Sequence, residues 1–418
     1  LIDINLQAQT PEPTWVVSAP LQQSGAEPEP QAAIAFLGRW IAGARRAHTG
    51  MGDGVIIDGS HGEGGGQILR TALTLSAITG RPLTIARLRA GRPKPGLAAQ
   101  HLTAVLSAAE LCRAEVSGAA LGSETLSFRP TVPPQAGDYV FDVAAAREVG
   151  SGGAATLVLQ TVALVALFAS GASRFCIRGG THVPWSPPYD YIAHVWRPFL
   201  ARMGIALEVE LTRFGFLPVG QGEIMARVSG LGRQASAHLE PAEIIARGSL
   251  RSVSGRAIAA NLPSHIAQRM AARATALLSR SAPAINIRAV DVRAASPGAG
   301  LFLTAEYEHM SAGFDAFGAR GKSSETVAAE AAGALLQHLR SGAALDLHLA
   351  EQALLPLALA CAPSTFTCEG VTRHLESNAW VIGQFGIADV LIERREGGPA
   401  LVSVRPKVPA AAAQRRPA

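Results

Sequence analysis

Apolar residues recur at helical spacing in three long runs, and in each an early glutamine precedes the run. The first goes from Gln67 to Gly80 and is followed by a short β-branched stretch over 83–88. The second goes from Gln160 to Gly171 and leads into 175–177. The third goes from Gln352 to Ala362 and leads into 365–368. Each copy reads as helix, small-residue break, strand and polar turn. The glutamines are separated by 160 − 67 = 93 and 352 − 160 = 192 residues, the second interval nearly double the first. Three copies of one unit, with an insertion of about another unit's length before the third, account for this spacing. The insertion is expected within 235–294, as a small α+β module with a helix over 264–279. Further helices are predicted over 100–112, 191–203 and 324–339, and strands over 55–58, 126–129, 206–211 and 302–307. The fold class is therefore α+β: three repeats of a four-stranded sheet with two helices on one face, plus the smaller inserted domain. The repeat body comprises 51–234 and 295–408.

Pseudo-symmetry carries a prediction about the site. Residues that open equivalent helices converge, so Gln67, Gln160 and Gln352 are related candidates for one cleft. The flanks carry no such pattern. Pro11, Pro13, Pro20, Pro28 and Pro30 fall among Gln, Ala and Glu, so 1–50 reads as a flexible extension. Met51 opens the first patterned strand and is a candidate translation start. The segment 409–418 reads as a disordered tail. The uncharged apolar run over 156–170 is long enough to raise a membrane span. Gln160 and Thr161 interrupt it, and a helix apolar on every side also suits the centre of a large domain.

Composition narrows the class without naming it. With 48% hydrophobic and 17% charged residues, the chain has ample material for buried cores, which excludes a wholly disordered protein. Cys112, Cys176, Cys361 and Cys368 are scattered, so neither a disulfide framework nor a zinc ribbon is indicated, and a cytoplasmic location is expected. The net charge is +5, and with lysine only at 94, 322 and 407 the 37 basic residues include 34 arginines. Their placement matters more than their number.

Asp58-Gly-Ser-His-Gly-Glu-Gly-Gly-Gly-Gln67 follows a strand and opens a helix, which puts free backbone N–H groups where an anion can bind. Its spacing is neither that of a dinucleotide fingerprint nor that of a P-loop. Glu63 inside the loop and Arg70 one turn later suit a phosphate with its metal ion; a tight turn requiring positive φ is the alternative. The densest basic patch, Arg87 to Lys94, contains Arg89 and Arg92, is held out of helix by Gly and Pro, and precedes Gln100 and His101. It suits a phosphodiester backbone or a solvated turn. Trp185 and Tyr189, in the Pro-rich turn 179–189, can stack on a base or pack in the loop. His374, in Val371-Thr-Arg-His-Leu-Glu-Ser-Asn378, is open to being base, ligand, nucleophile or structural residue.

Gly62-Glu-Gly-Gly-Gly-Gln-Ile-Leu-Arg70, Arg89-Ala-Gly-Arg-Pro-Lys-Pro-Gly-Leu97, Gln100-His-Leu-Thr-Ala104, Gly179-Gly-Thr181 and the His374 segment together resemble the RNA 3′-terminal phosphate cyclase family, over about 51–404. The resemblance implies ATP-dependent conversion of an RNA 3′-terminal phosphate to a 2′,3′-cyclic phosphate. It implies His374 as the adenylylated nucleophile and Glu63 as ligand of a divalent metal, Mg or Mn. It places Arg70, Arg89 and Gln100 at the nucleotide-phosphate and RNA-end site, with Arg92 of the basic loop beside them. Adenylate-binding positions fall on Gln160, Pro187 and Gln352. The family's usual Tyr-x-x-Asp-Gln is His348-Leu-Ala-Glu351-Gln352 here, which bears on nucleotide preference. Two other classes remain as alternatives: a non-catalytic RNA-binding relative of ribosome assembly, and an enolpyruvyl transferase built from a similar repeating unit. The oligomeric state, monomer or homodimer, is left open.

Overall fold

The computed structural model describes residues 54–146 and 151–407. The expected extension 1–50 and tail 409–418 lie outside these residues. The first unit consists of β1 (Val55–Asp58), α1 (Gly66–Thr79), β2 (Leu83–Ala86), α2 (Ala99–Cys112), β3 (Glu115–Ser117) and β4 (Leu126–Arg129). The second consists of β5 (Asp138–Asp142), α3 (Ala155–Ala166), β6 (Ala172–Gly179), a helical segment α4 over 189–202, β7 (Leu207–Arg213) and β8 (Gly222–Ser229). The third begins with β9 (Glu243–Ile244). It resumes, after an interruption, with α7 (Leu347–Ala358), β14 (Ser364–Cys368), α8 (Arg373–Phe385), β15 (Ala388–Glu393) and β16 (Ala400–Pro406). In each unit the first strand pairs parallel with the second, the second antiparallel with the fourth, and the fourth antiparallel with the third. One β-α-β-α-β-β topology thus occurs three times, as the glutamine spacing implied.

The interruption contains β10 (Leu250–Ala260), α5 (His265–Leu278), β11 (Ile285–Val292), β12 (Gly298–Tyr307), β13 (Ser311–Phe317) and α6 (Ser324–Ser341). Its sheet, in the order β11-β10-β12-β13, differs from the other three. Its core is also separate: Val253, Met270, Leu278, Leu301, Leu303 and Leu335 cluster together, whereas the three units share one continuous core. This segment runs well past the expected limit of 294, because β12 pairs with β10 rather than with a strand of the third unit. From Leu250 to Ser341 is 341 − 250 + 1 = 92 residues, close to the spacing surplus 192 − 93 = 99.

Small side chains let the central helices approach closely. Ala72, Ala104, Ala108, Ala155 and Ala163 are all buried, and α3 buries Thr156–Leu159 and Thr161–Ala166 within the shared core. The apolar run over 156–170 is therefore core; among the described residues, no helix is long and apolar enough to cross a membrane. Within α4 the turns widen to π-type over Ile192–Trp196, with the Arg197 N–H reaching the Ile192 carbonyl. Pro198 follows, and its missing N–H prevents a regular α-helical bond at that point.

Candidate functional site

The glycine-rich loop between β1 and α1 turns through Gly62 and Gly64, both at positive φ, conformations that a residue with a Cβ adopts only with strain. This turn brings Glu63 beneath α8 of the third unit. Glu63 Oε2 lies 2.8 Å from His374 Nε2 and 2.6 Å from Arg92 Nη2. Glu63 Oε1 is buried with no hydrogen-bond partner. Burial pushes the Glu63 carboxyl up, but the bond to His374 and the charges of His374, Arg92 and Arg70 outweigh it, and the group stays below its ordinary value. His374 moves the other way. The bond to Glu63 holds its imidazole above the usual 6.5, against burial, with Glu351 adding to the effect.

His374 is the second residue of α8, whose N-cap is Thr372. The Thr372 hydroxyl accepts from Leu375 N at 3.1 Å and donates to Glu351 Oε1 at 2.6 Å. Ser377 and Asn378, at i+3 and i+4 from His374, dock the same helix face onto the first unit. Ser377 Oγ accepts from Glu63 N at 3.3 Å, and Asn378 Oδ1 accepts from Gln67 Nε2 at 3.0 Å and Thr71 Oγ1 at 2.5 Å. Thr372, Ser377 and Asn378 were not among the residues expected at the site; the i+3 and i+4 spacing of Ser377 and Asn378 from His374 is the signal that marks them.

Arg70 is half-buried and donates from Nη2 to Gln67 Oε1 at 2.6 Å. Burial brings its guanidinium down to about 10 although Glu63 and Glu351 oppose it, so it remains charged at neutral pH. His101 is buried beside it and brought down to about 3 by burial and by Arg70, Arg89 and Arg92, so it is neutral. Its Nδ1 accepts from Ala98 N at 3.2 Å, which leaves the ring proton on Nε2.

The three glutamines do converge. Gln67, Gln160 and Gln352 line one cavity with Arg70, Glu351 and Asn378, and Gln160 Nε2 donates to Gln352 Oε1 at 2.6 Å. Other candidates lie nearby or are engaged elsewhere. Arg89 donates to the carbonyl of Gly96 at 2.7 Å, and Gln100 Oε1 accepts from Ala154 N at 3.0 Å, which joins the first and second units. His348, one helical turn before Gln352 on α7, lines a second cavity with Asp315 and Glu369. Pro187 is half-buried in the loop before α4, and Trp185 stands 93% exposed at φ 62°.

Gly65 shows how closely the loop is fitted. A Cβ there would lie 2.2 Å from Glu63 Oε1 and 2.7 Å from Arg92 Nη2, whereas its φ of −119° suits alanine. Gly65→Ala should therefore fold with an unchanged melting temperature yet displace the Glu63 carboxylate. Turnover of whatever reaction the cleft supports should fall by about 100-fold. Loss of thermal stability in parallel would show instead that the glycine serves the backbone.

Three repeated α+β units meeting at a cleft with a half-buried arginine, a carboxylate–histidine pair and a glycine-rich helix start define a multi-unit protein suited to holding anionic phosphate groups. The chain belongs to the RNA 3′-terminal phosphate cyclase family, whose sequence model matches residues 61–392. A relative from Methylococcus capsulatus named RNA 3′-terminal phosphate cyclase is 56% identical over 348 residues, covering 83% of this chain and 95% of that protein. Relatives of the same name from Gloeothece citriformis and Methanopyrus kandleri are 46% and 42% identical, each covering 84% of this chain and 98% of its own length.

Proposed function

We propose that the protein converts an RNA 3′-terminal phosphate to a 2′,3′-cyclic phosphate at the expense of ATP, with His374 as the nucleophile. The single observation that carries this reading is the position of His374. It sits partly exposed at the start of α8, bonded to Glu63, with Arg92 on the same carboxylate and half-buried Arg70 acting on both. A ring nitrogen attacks the α-phosphorus of ATP; a P–N bond forms, and the P–O bond to pyrophosphate breaks with its electron pair leaving on pyrophosphate. An oxygen of the RNA 3′-phosphate then takes the AMP group, and the electrons of the P–N bond return to the ring. Finally the vicinal 2′-hydroxyl attacks the 3′-phosphorus, releases its proton to solvent and expels AMP. Its proximity on the same ribose makes this closure effectively intramolecular.

Arg70 and Arg92 offset charge on the transferred phosphoryl group, with Arg89 in the same basic loop. Gln160, Gln352 and Glu351 line the cavity with Arg70, and His348 lines the second cavity; together with Pro187, in the loop before α4, they are assigned to the nucleoside. Gln100 acts by fixing the start of α3 through Ala154. A divalent cation fits Glu63, because its buried Oε1 has no other partner and a carboxylate oxygen suits a hard cation. Among the described residues, no group of three His, Cys, Asp or Glu side chains could hold a metal, so phosphate and water oxygens would complete its shell. The cation would neutralise phosphate charge when bound.

The direct test offers a 3′-phosphorylated oligoribonucleotide and a 3′-hydroxyl control with ATP and magnesium. A phosphatase-resistant terminus should form on the first and require ATP. Indifference to the terminal phosphate would sink the reading and favour a binding or assembly role. Because the neutral ring attacks and its pKa is raised, covalent labelling by ATP should rise with pH, with an inflection above 6.5. A flat rate from pH 6 to 8 would contradict the role given to His374.

A further inference from the structure

The second cavity contains a carboxylate that the proposed reaction does not use. Asp315 lies on β13 of the inserted segment and lines this cavity with His348, Asp346 and Glu369. Its neighbours have partners: Asp346 accepts from Tyr191 Oη at 2.7 Å and from the backbone N–H groups of His348 and Leu349 at 2.9 and 2.8 Å. Glu369 bonds to His338. The half-buried side chain of Asp315 has no hydrogen-bond partner among the described residues.

The cavity adjoins the path from His374. Thr372, two residues before His374, is bonded to Glu351, and His348 lies three residues before Glu351 on α7. His348 lines the cavity that holds Asp315, and Glu351, one turn further along α7, lines the cavity that holds Arg70, so this helix runs from one cavity to the other. Gly313, which points the same way as Asp315 along β13, packs against the ring of Tyr191, four residues after Pro187. A nucleotide whose α-phosphorus meets His374 would therefore extend along α7 and bring its base to Asp315.

We propose that Asp315 reads the N–H edge of that base, so that the site takes guanine as well as adenine nucleoside triphosphates. This inference rests on the proposed nucleotidylation of His374. Guanine presents two adjacent donors, N1–H and the 2-amino group, to the two oxygens of a carboxylate; adenine presents only its 6-amino group. Burial raises the Asp315 carboxyl to about 6, so at pH 8 it is ionised and acts only as an acceptor. The chemistry at His374 is the same for either base, since the same P–N bond forms and pyrophosphate leaves.

The test measures covalent labelling of the full-length protein at pH 8 with magnesium and α-labelled ATP or GTP. The wild type should label from both. Asp315→Leu and the near-isosteric Asp315→Asn should each lower the GTP-to-ATP ratio of labelling efficiency by roughly 10-fold or more, as loss of a hydrogen bond to a charged group predicts. Use of both variants guards against a folding defect in one. A ratio that stays at the wild-type value in both variants, or a wild type labelled by ATP alone, overturns the role of Asp315 and leaves His374 standing. A wild type labelled by neither nucleotide removes both.

Discussion

Replacing His374 with alanine should abolish covalent labelling by α-labelled ATP and reduce cyclisation by on the order of 10^4-fold or more, with no loss of folding. The side chain is 41% exposed and its contacts are polar, so its removal opens no apolar cavity. The helix start is secured elsewhere, by Thr372 on Leu375 and Glu351 and by Asn378 on Gln67 and Thr71. Chemistry and scaffold are therefore separable at this position. Two controls make the result specific. His101→Ala removes a neutral buried ring from the same neighbourhood and should leave labelling detectable. Glu63→Gln should weaken labelling while retaining the covalent site. Equal labelling of His374→Ala and wild type would locate the nucleophile elsewhere, whatever the overall turnover.

The convergence of the three glutamines was readable in the sequence because of the repeat. Gln67, Gln160 and Gln352 occupy equivalent helix starts, and pseudo-symmetry brings such positions to a common centre. The Glu63 loop was readable because its run of glycines marks a tight turn, and Gly62 and Gly64 do take positive φ there. The limit of the inserted segment was not readable. The strand at 298–307 and the helix at 324–341 have the same local patterns as elements of the repeats, and only hydrogen bonding across the sheet assigns them. The division of His348 from Gln352 between two cavities was also hidden, because helical spacing places them on one face without showing what packs opposite. In this fold, β13 of the inserted segment supplies that opposite wall.

The same limit applies to the largest stability effect expected. Asp190 and Arg256 are 66 residues apart, one at the start of α4 and the other on β10, and nothing local pairs them. Asp190 Oδ1 accepts from Arg256 Nε at 2.7 Å, and Oδ2 accepts from Arg256 Nη2 and lies beside His182 Nε2, each at 2.8 Å. His182 is fully buried against Phe214, Phe216 and Phe302. The Thr181 hydroxyl accepts from Gly215 N and lies 2.8 Å from His182 Nδ1; the Asp190 carboxylate can only accept, so His182 Nε2–H is the donor to it. Asp190→Ala would strand both a guanidinium and an imidazole N–H. The expected loss is about 3 kcal/mol, at the lower end for a broken buried pair because Arg256 retains 25% exposure. Asp190→Asn keeps hydrogen-bonding atoms and should lose less. Burial raises the Asp190 carboxyl, but the bonds from His182 and Arg256 prevail and hold it well below its ordinary 3.8. A depressed carboxyl contributes stability above the unfolded value and loses it as pH falls towards the folded one. The gap between wild type and Asp190→Asn in urea denaturation should thus be full at pH 7 and narrow below about pH 4. A gap that widens on acidification would mean that Asp190 is not the charged partner of Arg256.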